Sequence, residues 1–337
     1  MIGDQGVNAV PGVVLVTGGA GYIGSHVVKY LIDKGHGVLV LDDLSGGFHE
    51  AVPNGRLIEG NIGDRAVLDE LFSLHQIDAV MNFASFIEVG ASVKHPSAFY
   101  CNNVGNTLNL LDAMVRHDVR KFVFSSTAAI FGNPEYTPID EAHRKAPINP
   151  YGRSKWLIEQ LLPDYDQAYG LKSVCLRYFN AAGADPAGEL GERHDPETHL
   201  IPLVLQAASG RRDRITIFGS DYDTEDGTCV RDYVHVEDLA QAHWLALEFL
   251  DSRARSAAFN LGNGNGFSIR QVINAVREVS GRDFQVDVGS RREGDPPVLI
   301  ADSQKARSAL GWKPKFSDLA DIVQHAWNWE LQKGAAW

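Results

Sequence analysis

The sequence predicts an α/β fold: a doubly wound, Rossmann-like parallel sheet with a smaller C-terminal substrate-binding domain. Short β-branched runs alternate with longer amphipathic stretches through the first 180 residues, an order typical of parallel sheets with right-handed crossovers. The strand candidates are almost wholly apolar, as expected when helices cover both faces of a sheet. A glycine-rich turn directly follows the first strand candidate, which is where such sheets bind nucleotides.

The candidate elements of this sheet follow one another in regular order. Apolar runs predict strands at 13–18, 37–43, 56–61, 77–84, 120–127 and 172–180. Between them, helices are predicted at 22–34, 64–75, 96–117 and 150–170. After residue 180, loops rich in Gly, Pro, Asp and Glu separate shorter elements such as 214–219 and 257–262.

This change of character predicts two domains. The nucleotide-binding Rossmann domain is expected at 13–180, with later segments at about 235–262 interleaved into it. The remainder, 181–337, is expected to be mainly the substrate-binding domain.

The charge and composition exclude several classes of function. The chain has 337 residues, with 31 Lys and Arg against 43 Asp and Glu, and a net charge of −12. Such an acidic surface disfavours nucleic acid and anionic membranes as partners. We find neither a signal peptide nor an apolar run long enough to span a membrane. Three cysteines without metal-ligand spacing favour a reducing compartment, so we expect a cytoplasmic protein.

The turn after the first strand reads GxxGxxG, with glycines at Gly18, Gly21 and Gly24. Glycine lets the backbone approach a pyrophosphate, and the following helix offers unpaired N–H groups. The second strand ends at Asp42, 18 residues past Gly24, where a carboxylate can accept hydrogen bonds from a ribose. It would repel a 2′-phosphate, so the pattern favours NAD over NADP. Asp43 is the alternative ribose ligand.

A Tyr-x-x-x-Lys pair opens the helix predicted at 150–170. Tyr151 and Lys155 lie on one helical face, and a nearby ammonium favours the phenolate and lowers the phenol pKa. Such a phenol can take a proton from a sugar hydroxyl. Thr127 ends the fifth strand, at the sheet edge where ligands bind, and its hydroxyl can share that proton; Ser125 is a possible strand cap instead.

Together these three features resemble the extended short-chain dehydrogenase/reductase family. The resemblance runs from about residue 13 to 330 and is similar to the branch whose members epimerise UDP-hexoses at C4. The motifs that carry it are TGGAGYIGSH (17–26), NFASFIEVGASV (82–93), KFVFSSTAAIFG (121–132), NPYGRSK (149–155), LRYFNAAGA (176–184), TEDGTCVRDYVHVEDLA (224–240), NLGNGNGFS (260–268) and RREGDPP (291–297).

The resemblance implies a role for each matching residue. Tyr151 is implied as the catalytic base, Thr127 as its hydroxyl partner, and Lys155 as the residue that tunes the phenol. The implied NAD site comprises Gly18, Gly21, Tyr22, Ile23, Gly24, Asp42, Asn61, Ile62, Phe83, Ala84, Asn102, Tyr151, Lys155 and Tyr178. The implied UDP-sugar site comprises Thr127, Asn180, His199, Leu200, Phe218, Arg231, Tyr233, Arg292, Asp295 and Leu299.

Three positions depart from the family pattern. Asn61 stands where the family usually has Asp, and Ile87 replaces a lysine that contacts the cofactor in some members. Leu299 occupies a position that in the family gates N-acetylated sugars, and its size is intermediate between those found there. The sequence therefore leaves the range of accepted UDP-sugars open.

The activity implied is NAD-dependent 4-epimerisation of a UDP-hexose, UDP-glucose or UDP-galactose, through a 4-keto intermediate. A UDP-N-acetylhexosamine or UDP-pentose 4-epimerase is the alternative. A dehydratase or decarboxylase is disfavoured because Ala128 and Ala129 follow Thr127, where those enzymes carry acidic residues. A non-catalytic NAD-binding protein is the rival of another class.

The resemblance further implies a homodimer formed through the helices at 96–117 and 150–169. No metal site is predicted. The acidic run 221–226 lacks the Gly and Glu that a calcium loop requires at its sixth and twelfth positions. His194 and His199 lie five residues apart in a Pro-containing loop, so no helical register aims both at one ion.

Overall fold

The computed structural model describes residues 12–292 and 295–335. The strands are β1 (Val13–Thr17), β2 (Gly37–Asp42), β3 (Leu57–Glu59), β4 (Ile77–Asn82), β5 (Lys121–Thr127), β6 (Lys172–Tyr178), β7 (Asn180–Ala182), β8 (Arg214–Phe218), β9 (Val230–Arg231), β10 (Tyr233–His235), β11 (Ala257–Leu261), β12 (Phe267–Ser268), β13 (Gln285–Gly289) and β14 (Val298–Leu299).

Helices follow most of these strands. They are α1 (Tyr22–Asp33), α2 (Arg65–Leu74), α3 (Val89–Lys94), α4 (Pro96–Phe99), α5 (Asn106–Arg116), α6 (Pro150–Tyr169), α7 (Leu200–Ser209), α8 (Val236–Arg253), α9 (Ile269–Ser280), α10 (Gln304–Ala309) and α11 (Leu319–Ala335). Among the described residues, none of these helices combines the length and apolarity needed to cross a bilayer.

The main sheet has seven strands in the order β11-β6-β5-β4-β1-β2-β3, and all of its neighbours are parallel. Six of them follow the doubly wound order 3-2-1-4-5-6. This confirms the predicted fold class. Because strand order reverses between β1 and β4, the carboxyl ends of these two strands open a crevice for a ligand.

Alternation along the strands divides the core between the two faces of this sheet. In β1, Val14 and Val16 belong to the cluster that packs against α1 and α8, whereas Leu15 belongs to the cluster under α2, α5 and α6. Successive side chains of a strand point to opposite faces. A wholly apolar strand is therefore buried on both sides, as the sequence pattern predicted.

The helix predicted at 96–117 is not regular. It runs as α4, then a π-helical segment at Tyr100–Gly105, then α5. The wider turn places Asn103, which is buried, where its Nδ2 donates to Ser154 Oγ at 3.0 Å and to the Phe86 carbonyl oxygen at 3.0 Å. Such π-bulges are frequent at functional sites, and this one braces the start of α6.

The second half of the chain forms a further core beside the sheet edge. Strands β8 and β13 pair in parallel, and α7, α9 and α11 bury a third apolar cluster against them. The predicted strand at 172–180 ends at Tyr178, because residues Asn180–Ala182 pair with β10 instead. Two short strands, β9 and β14, lie in register and bring Arg231 beside Leu299.

Candidate functional site

The glycine turn has the conformation that an anion site requires. Gly18 has φ +72°, and a side chain there would come within 2.5 Å of the Ala84 backbone nitrogen. A side chain at Gly24 would collide with the Gly18 carbonyl oxygen. Helix α1 begins after Gly21 without a side-chain cap, so its first N–H groups remain for a ligand.

Two predicted cofactor residues, Tyr22 and Ile23, open α1. The Tyr22 hydroxyl donates to the Gly183 carbonyl oxygen at 2.7 Å, which ties the helix start to the second half of the chain. Ile23 packs against the core cluster between α1 and the sheet. Both residues thus hold the N-terminus of α1 in place.

Asp42 lies at the carboxyl end of β2, buried to 7% exposure. Its two oxygens accept from the backbone nitrogens of Ala20 and Leu44, each at 2.9 Å. Burial raises the pKa of Asp42, and the two amides only partly offset this. A carboxylate has about four acceptor positions, so two remain for ribose hydroxyls.

The other predicted cofactor residues border the same crevice. Asn61 Nδ2 donates to Asp43 at 2.6 Å, and its Oδ1 accepts from Asn106, which also donates to Asn102 Oδ1. Phe83 and Ala84 continue β4 past its end and meet the glycine turn. Ile62 is 4% exposed and packs in the core on the α2 side.

The start of α6 holds Tyr151 beside Thr127. Asn149 caps this helix by accepting from the Gly152 backbone nitrogen at 2.8 Å. A side chain at Gly152 would come within 2.5 Å of the Ala129 carbonyl oxygen, so glycine permits the close packing. Burial raises the pKa of Tyr151, and a hydrogen bond from Thr127 partly opposes this.

Lys155 lies one turn further along α6 and is 3% exposed. Its ammonium donates to Ser85 Oγ at 2.6 Å and to the Ser125 carbonyl oxygen at 2.9 Å. Burial lowers the pKa of Lys155 from the ordinary 10.5 to about 7. Close to neutral pH, this lysine can therefore gain or lose a proton.

The electrostatics of this pair differ from the expectation. A lysine one turn away was expected to lower the phenol pKa, yet burial dominates and the pKa of Tyr151 is raised. The physical reason is the site's depth, since desolvation penalises both the phenolate and the ammonium. Tyr178 lies close by and shares a short hydrogen bond with Ser125.

A buried ion pair supports the strands under these residues. The Arg177 guanidinium binds the Glu159 carboxylate through Nε at 3.0 Å and through Nη2, and Ser126 Oγ donates to the same carboxylate. Both charged side chains are 6% exposed or less. The network joins α6, which carries Tyr151, to β5 and β6.

Removing one partner of this pair should destabilise the fold. We expect Glu159→Gln to lower the free energy of unfolding by about 3–5 kcal/mol, because Arg177 then stays buried without its counter-charge. Urea unfolding followed by fluorescence measures the change. The double variant Glu159→Leu/Arg177→Met, which removes both charges, should recover most of the loss; if it is as unstable as the single variant, the charge explanation fails.

Several of the predicted substrate residues lie beyond the carboxyl end of β6. Asn180 Nδ2 donates to the Asp232 carbonyl oxygen at 2.9 Å. Arg231, 12% exposed, donates to Asp295 Oδ1 at 2.9 Å, so these two predicted residues contact each other. Leu299 packs on a cluster that includes Phe131, close to the 3₁₀ turn that follows Thr127.

Two further predicted residues form a stack at the surface. The Arg292 guanidinium lies 4.0 Å from the centre of the Phe218 ring, and that ring is 40% exposed. A planar group could insert against this pair. Tyr233 is different, because at 4% exposure it belongs to the apolar core beneath α7.

The segment before α7 brings His194 and His199 together, although their spacing in the sequence predicted no shared ligand. His199 ends this segment and Leu200 begins α7. His194 and His199 both contact Glu192, with Nδ1–Oε1 distances of 3.1 and 2.8 Å. Burial disfavours charge on His199, but hydrogen bonds with Glu192 and Glu197 outweigh it and raise its pKa to about 10.

Several residues of the site were not anticipated. Ser85 binds Lys155, yet only its position after β4 could have indicated it. Asp232 is fully buried and accepts from the backbone nitrogens of Asn263, Gly264 and Ala301. It holds together the loops around Arg231. Glu192 and Glu197 carry no local sequence pattern that predicts their convergence.

Comparison with known proteins places this site in a family context. The profile of the NAD dependent epimerase/dehydratase family matches residues 14–262. The chain is 53% identical to a UDP-glucose 4-epimerase of Halalkalibacterium halodurans over 95% of this chain and 96% of that one. A UDP-glucose 4-epimerase from Brucella ovis, solved in complex with NAD, superposes with a TM-score of 0.92 at 48% identity, covering 94% of this chain and 97% of that one.

A further solved relative carries both ligand types. It is a UDP-glucose 4-epimerase from Bifidobacterium longum in complex with NAD⁺ and UDP. It superposes with a TM-score of 0.91 at 36% identity, covering 96% of this chain and 100% of that one.

Proposed function

Because the chain belongs to the NAD dependent epimerase/dehydratase family and catalyses NAD-dependent 4-epimerisation of a UDP-hexose, we propose that Tyr151, Lys155 and Thr127 carry its chemistry. The observation behind this proposal is the start of α6. There, the half-buried phenol of Tyr151 lies beside Thr127 at the carboxyl edge of the sheet, one turn from the buried Lys155.

Tyr151 moves the proton of the sugar 4-hydroxyl. As phenolate it accepts that proton while C4 is oxidised, and it returns the proton when C4 is reduced. The Thr127 hydroxyl lies beside the phenol and favours its charged form. Lys155, fixed between Ser85 and the Ser125 carbonyl oxygen, positions a ribose hydroxyl and favours the phenolate when charged.

The crevice around the glycine turn fits a dinucleotide. Backbone at Gly18 and Gly24 leaves no room for side chains, the N-terminus of α1 is open to a diphosphate, and Asp42 keeps acceptor positions for a ribose. NAD held by these residues would supply the hydride acceptor for oxidation of C4 and the hydride donor for its reduction, and its positive charge would favour the phenolate of Tyr151.

We propose that the second half of the chain holds the UDP-sugar. Arg231 and Arg292 suit a diphosphate because guanidinium pairs with phosphate oxygens through parallel hydrogen bonds. The Phe218–Arg292 stack suits a planar base. The substrate domain is accordingly assigned mainly to 181–337, and the NAD domain to 13–180 with the interleaved part of 235–262.

The geometry disfavours the neighbouring chemistries of this fold. A dehydratase needs an acid and a base beside the sugar C5 and C6. Residues Ala128 and Ala129, which follow Thr127 in the 3₁₀ turn, cannot exchange protons. Burial disfavours the charged form of Lys155. Such a costly buried lysine is typical of a catalytic site and is not needed in a protein that only binds NAD.

Incubating the purified protein with UDP-galactose tests the activity directly. We expect conversion to an equilibrium mixture with UDP-glucose, without net formation of NADH. Formation of a 4-keto-6-deoxy sugar would instead identify a dehydratase, and the absence of any product would favour the non-catalytic alternative.

The substrate range should depend on Leu299. It stands in register with Arg231 and packs near the turn after Thr127, so its side chain lies between the diphosphate and sugar ends of the proposed site. We expect Leu299→Ala to raise kcat/KM for UDP-N-acetylgalactosamine about tenfold, since the change removes three carbons of a half-buried side chain. UDP-galactose turnover serves as the reference. An unchanged ratio of the two would mean that this position does not gate the sugar.

A homodimer and a cytoplasmic location complete the proposal. On the outer face of α6, Leu157 is 40% exposed and Leu161 follows one turn later, half-buried; such an apolar strip suits a partner chain. Light scattering should give twice the chain mass, and Leu157→Glu should halve the measured mass.

The proposed cytoplasmic location agrees with the free thiols of Cys101, Cys175 and Cys229, because free thiols are common in reducing compartments. Fractionation of cells would test the location.

A further inference from the structure

Four side chains of the types that bind metal ions come together in the segment before α7. Glu192, His194, Glu197 and His199 each place a carboxylate oxygen or ring nitrogen within 4.8 Å of the others. We propose that they form a binding site for a zinc-like divalent cation, a role beyond the UDP-sugar contact that the resemblance implies for His199. The pattern in sequence is E-x-H-x-x-E-x-H.

The distances suit a tetrahedral ion. His199 Nδ1 lies 2.8 Å from Glu192 Oε1 and 3.0 Å from Glu197 Oε1. His194 Nδ1 lies 3.1 Å from Glu192 Oε1 and 3.8 Å from Glu197 Oε2. Zinc bonds of about 2.0–2.2 Å place neighbouring tetrahedral ligands about 3.4 Å apart. The separations run from 2.8 to 3.8 Å but reach Glu197 through both of its oxygens, and one ligand atom from each residue lies within 4.8 Å of the others. Rotation of the Glu197 carboxylate and movement of the side chains towards one point would complete the site.

Charge and burial favour a divalent cation. The side chains of Glu192 and Glu197 are 7% and 5% exposed, and two buried carboxylates are costly without compensation. One divalent ion neutralises both and takes the two imidazoles as neutral ligands. Two nitrogens with two oxygens suit zinc, whereas calcium and magnesium prefer six or more oxygen ligands.

Contacts within this segment and with α11 hold these ligands in place. His199 is the N-cap residue of α7, yet its side chain makes no capping hydrogen bond and turns to the carboxylates instead. The backbone nitrogens of Thr198 and His199 donate to Glu197 Oε1 at 2.8 and 2.9 Å. Trp329 of α11 donates to the Glu192 carbonyl oxygen at 3.0 Å. Such outer contacts are what orient metal ligands.

In the alternative arrangement, hydrogen bonds from a protonated histidine hold the two carboxylates together without a metal ion. If His199 is an imidazolium, its N–H bridges the two carboxylates at the distances observed, and its raised pKa is compatible with this. The two arrangements differ in one respect that can be measured. Only a metal site binds zinc in a fixed ratio and loses that binding when His194 is replaced.

Zinc titration of the purified, untagged protein with its bound NAD tests the proposal. After treatment with a chelator, zinc is added in competition with a chromophoric chelator, and Co²⁺ is added to a second sample. We expect one zinc per chain and the visible absorption of tetrahedral Co²⁺. His194→Gln should weaken zinc binding at least tenfold. His36→Gln, changed at the opposite end of the sheet before β2, should leave it unchanged.

Each other outcome overturns the site. Zinc affinity that is equal in His194→Gln and in the unchanged chain would assign the ion to other residues. Failure to bind one equivalent, or a six-coordinate Co²⁺ spectrum, would favour the imidazolium–carboxylate arrangement. Glu197→Gln, with circular dichroism to verify folding, provides a second ligand variant. Because the readout is metal binding, failure of the epimerase assignment would leave this result intact.

Discussion

Tyr151→Phe should lower kcat for UDP-galactose by about 10³-fold while NAD stays bound, because the change removes only the phenolic oxygen that carries the proton. The ring remains in its half-buried position at the start of α6. Substrate conversion is measured by coupled assay, and NAD content is measured by chromatography of the denatured protein. A variant that keeps near-normal kcat would refute the proton-transfer role.

The matched control is Tyr169→Phe. Tyr169 is 50% exposed and lies at the other end of the same helix, 18 residues after Tyr151. Its loss of a hydroxyl should leave kcat unchanged. A similar fall in both variants would point to damage of α6 and not to lost chemistry.

Lys155→Met should lower the activity of the enzyme and raise the stability of its fold. We expect kcat to fall by at least about 10²-fold, since the residue that favours the phenolate is lost. In protein freed of nucleotide, the free energy of unfolding at pH 7 should rise by roughly 2–4 kcal/mol. The reason is that the cost of burying the ammonium of Lys155 outweighs the gain from its two hydrogen bonds. Activity assays and thermal unfolding measure the two effects.

The pH dependence identifies the cause of the stability gain. The pKa of Lys155 is about 7 in the folded chain and 10.5 in its ordinary state. Between these values the unfolded chain binds a proton that the folded chain does not, so this group makes stability rise with pH. We expect the advantage of Lys155→Met to be full below pH 7 and to vanish towards pH 10.

Lys313→Met is the control for this series. Lys313 is exposed, so its replacement should alter neither kcat nor the pH slope of stability. A stability gain in Lys155→Met that persists unchanged at pH 10 would contradict the ionisation argument and indicate better packing by methionine.

Much of the fold could be predicted because it depends on local pattern. The apolar run of β1, the glycines after it and the acidic end of β2 are each read within a few residues. The predicted strands of the main sheet agree with the structure to within a few residues. The π-helical turn at Tyr100–Gly105 was not predicted, since it arises from contacts of Asn103 with α6.

The site residues were predictable to different degrees. Arg231 and Leu299 were predicted from family resemblance, yet their pairing across β9 and β14 joins segments 68 positions apart and has no signature in either one. The sequence predicted no shared ion for the two histidines before α7, because no helical register aims both at one point. An irregular loop held by Glu192 and α11 brings them together.

By itself the sequence determined the parallel sheet, the dinucleotide turn and the Tyr151–Lys155 pair, because each follows from spacing along one short stretch of chain. Only the tertiary structure decided the ionisation of that pair and the convergence of Glu192 with His199. Burial and long-range contacts set both, since desolvation depends on everything that surrounds a group and not on its neighbours in sequence.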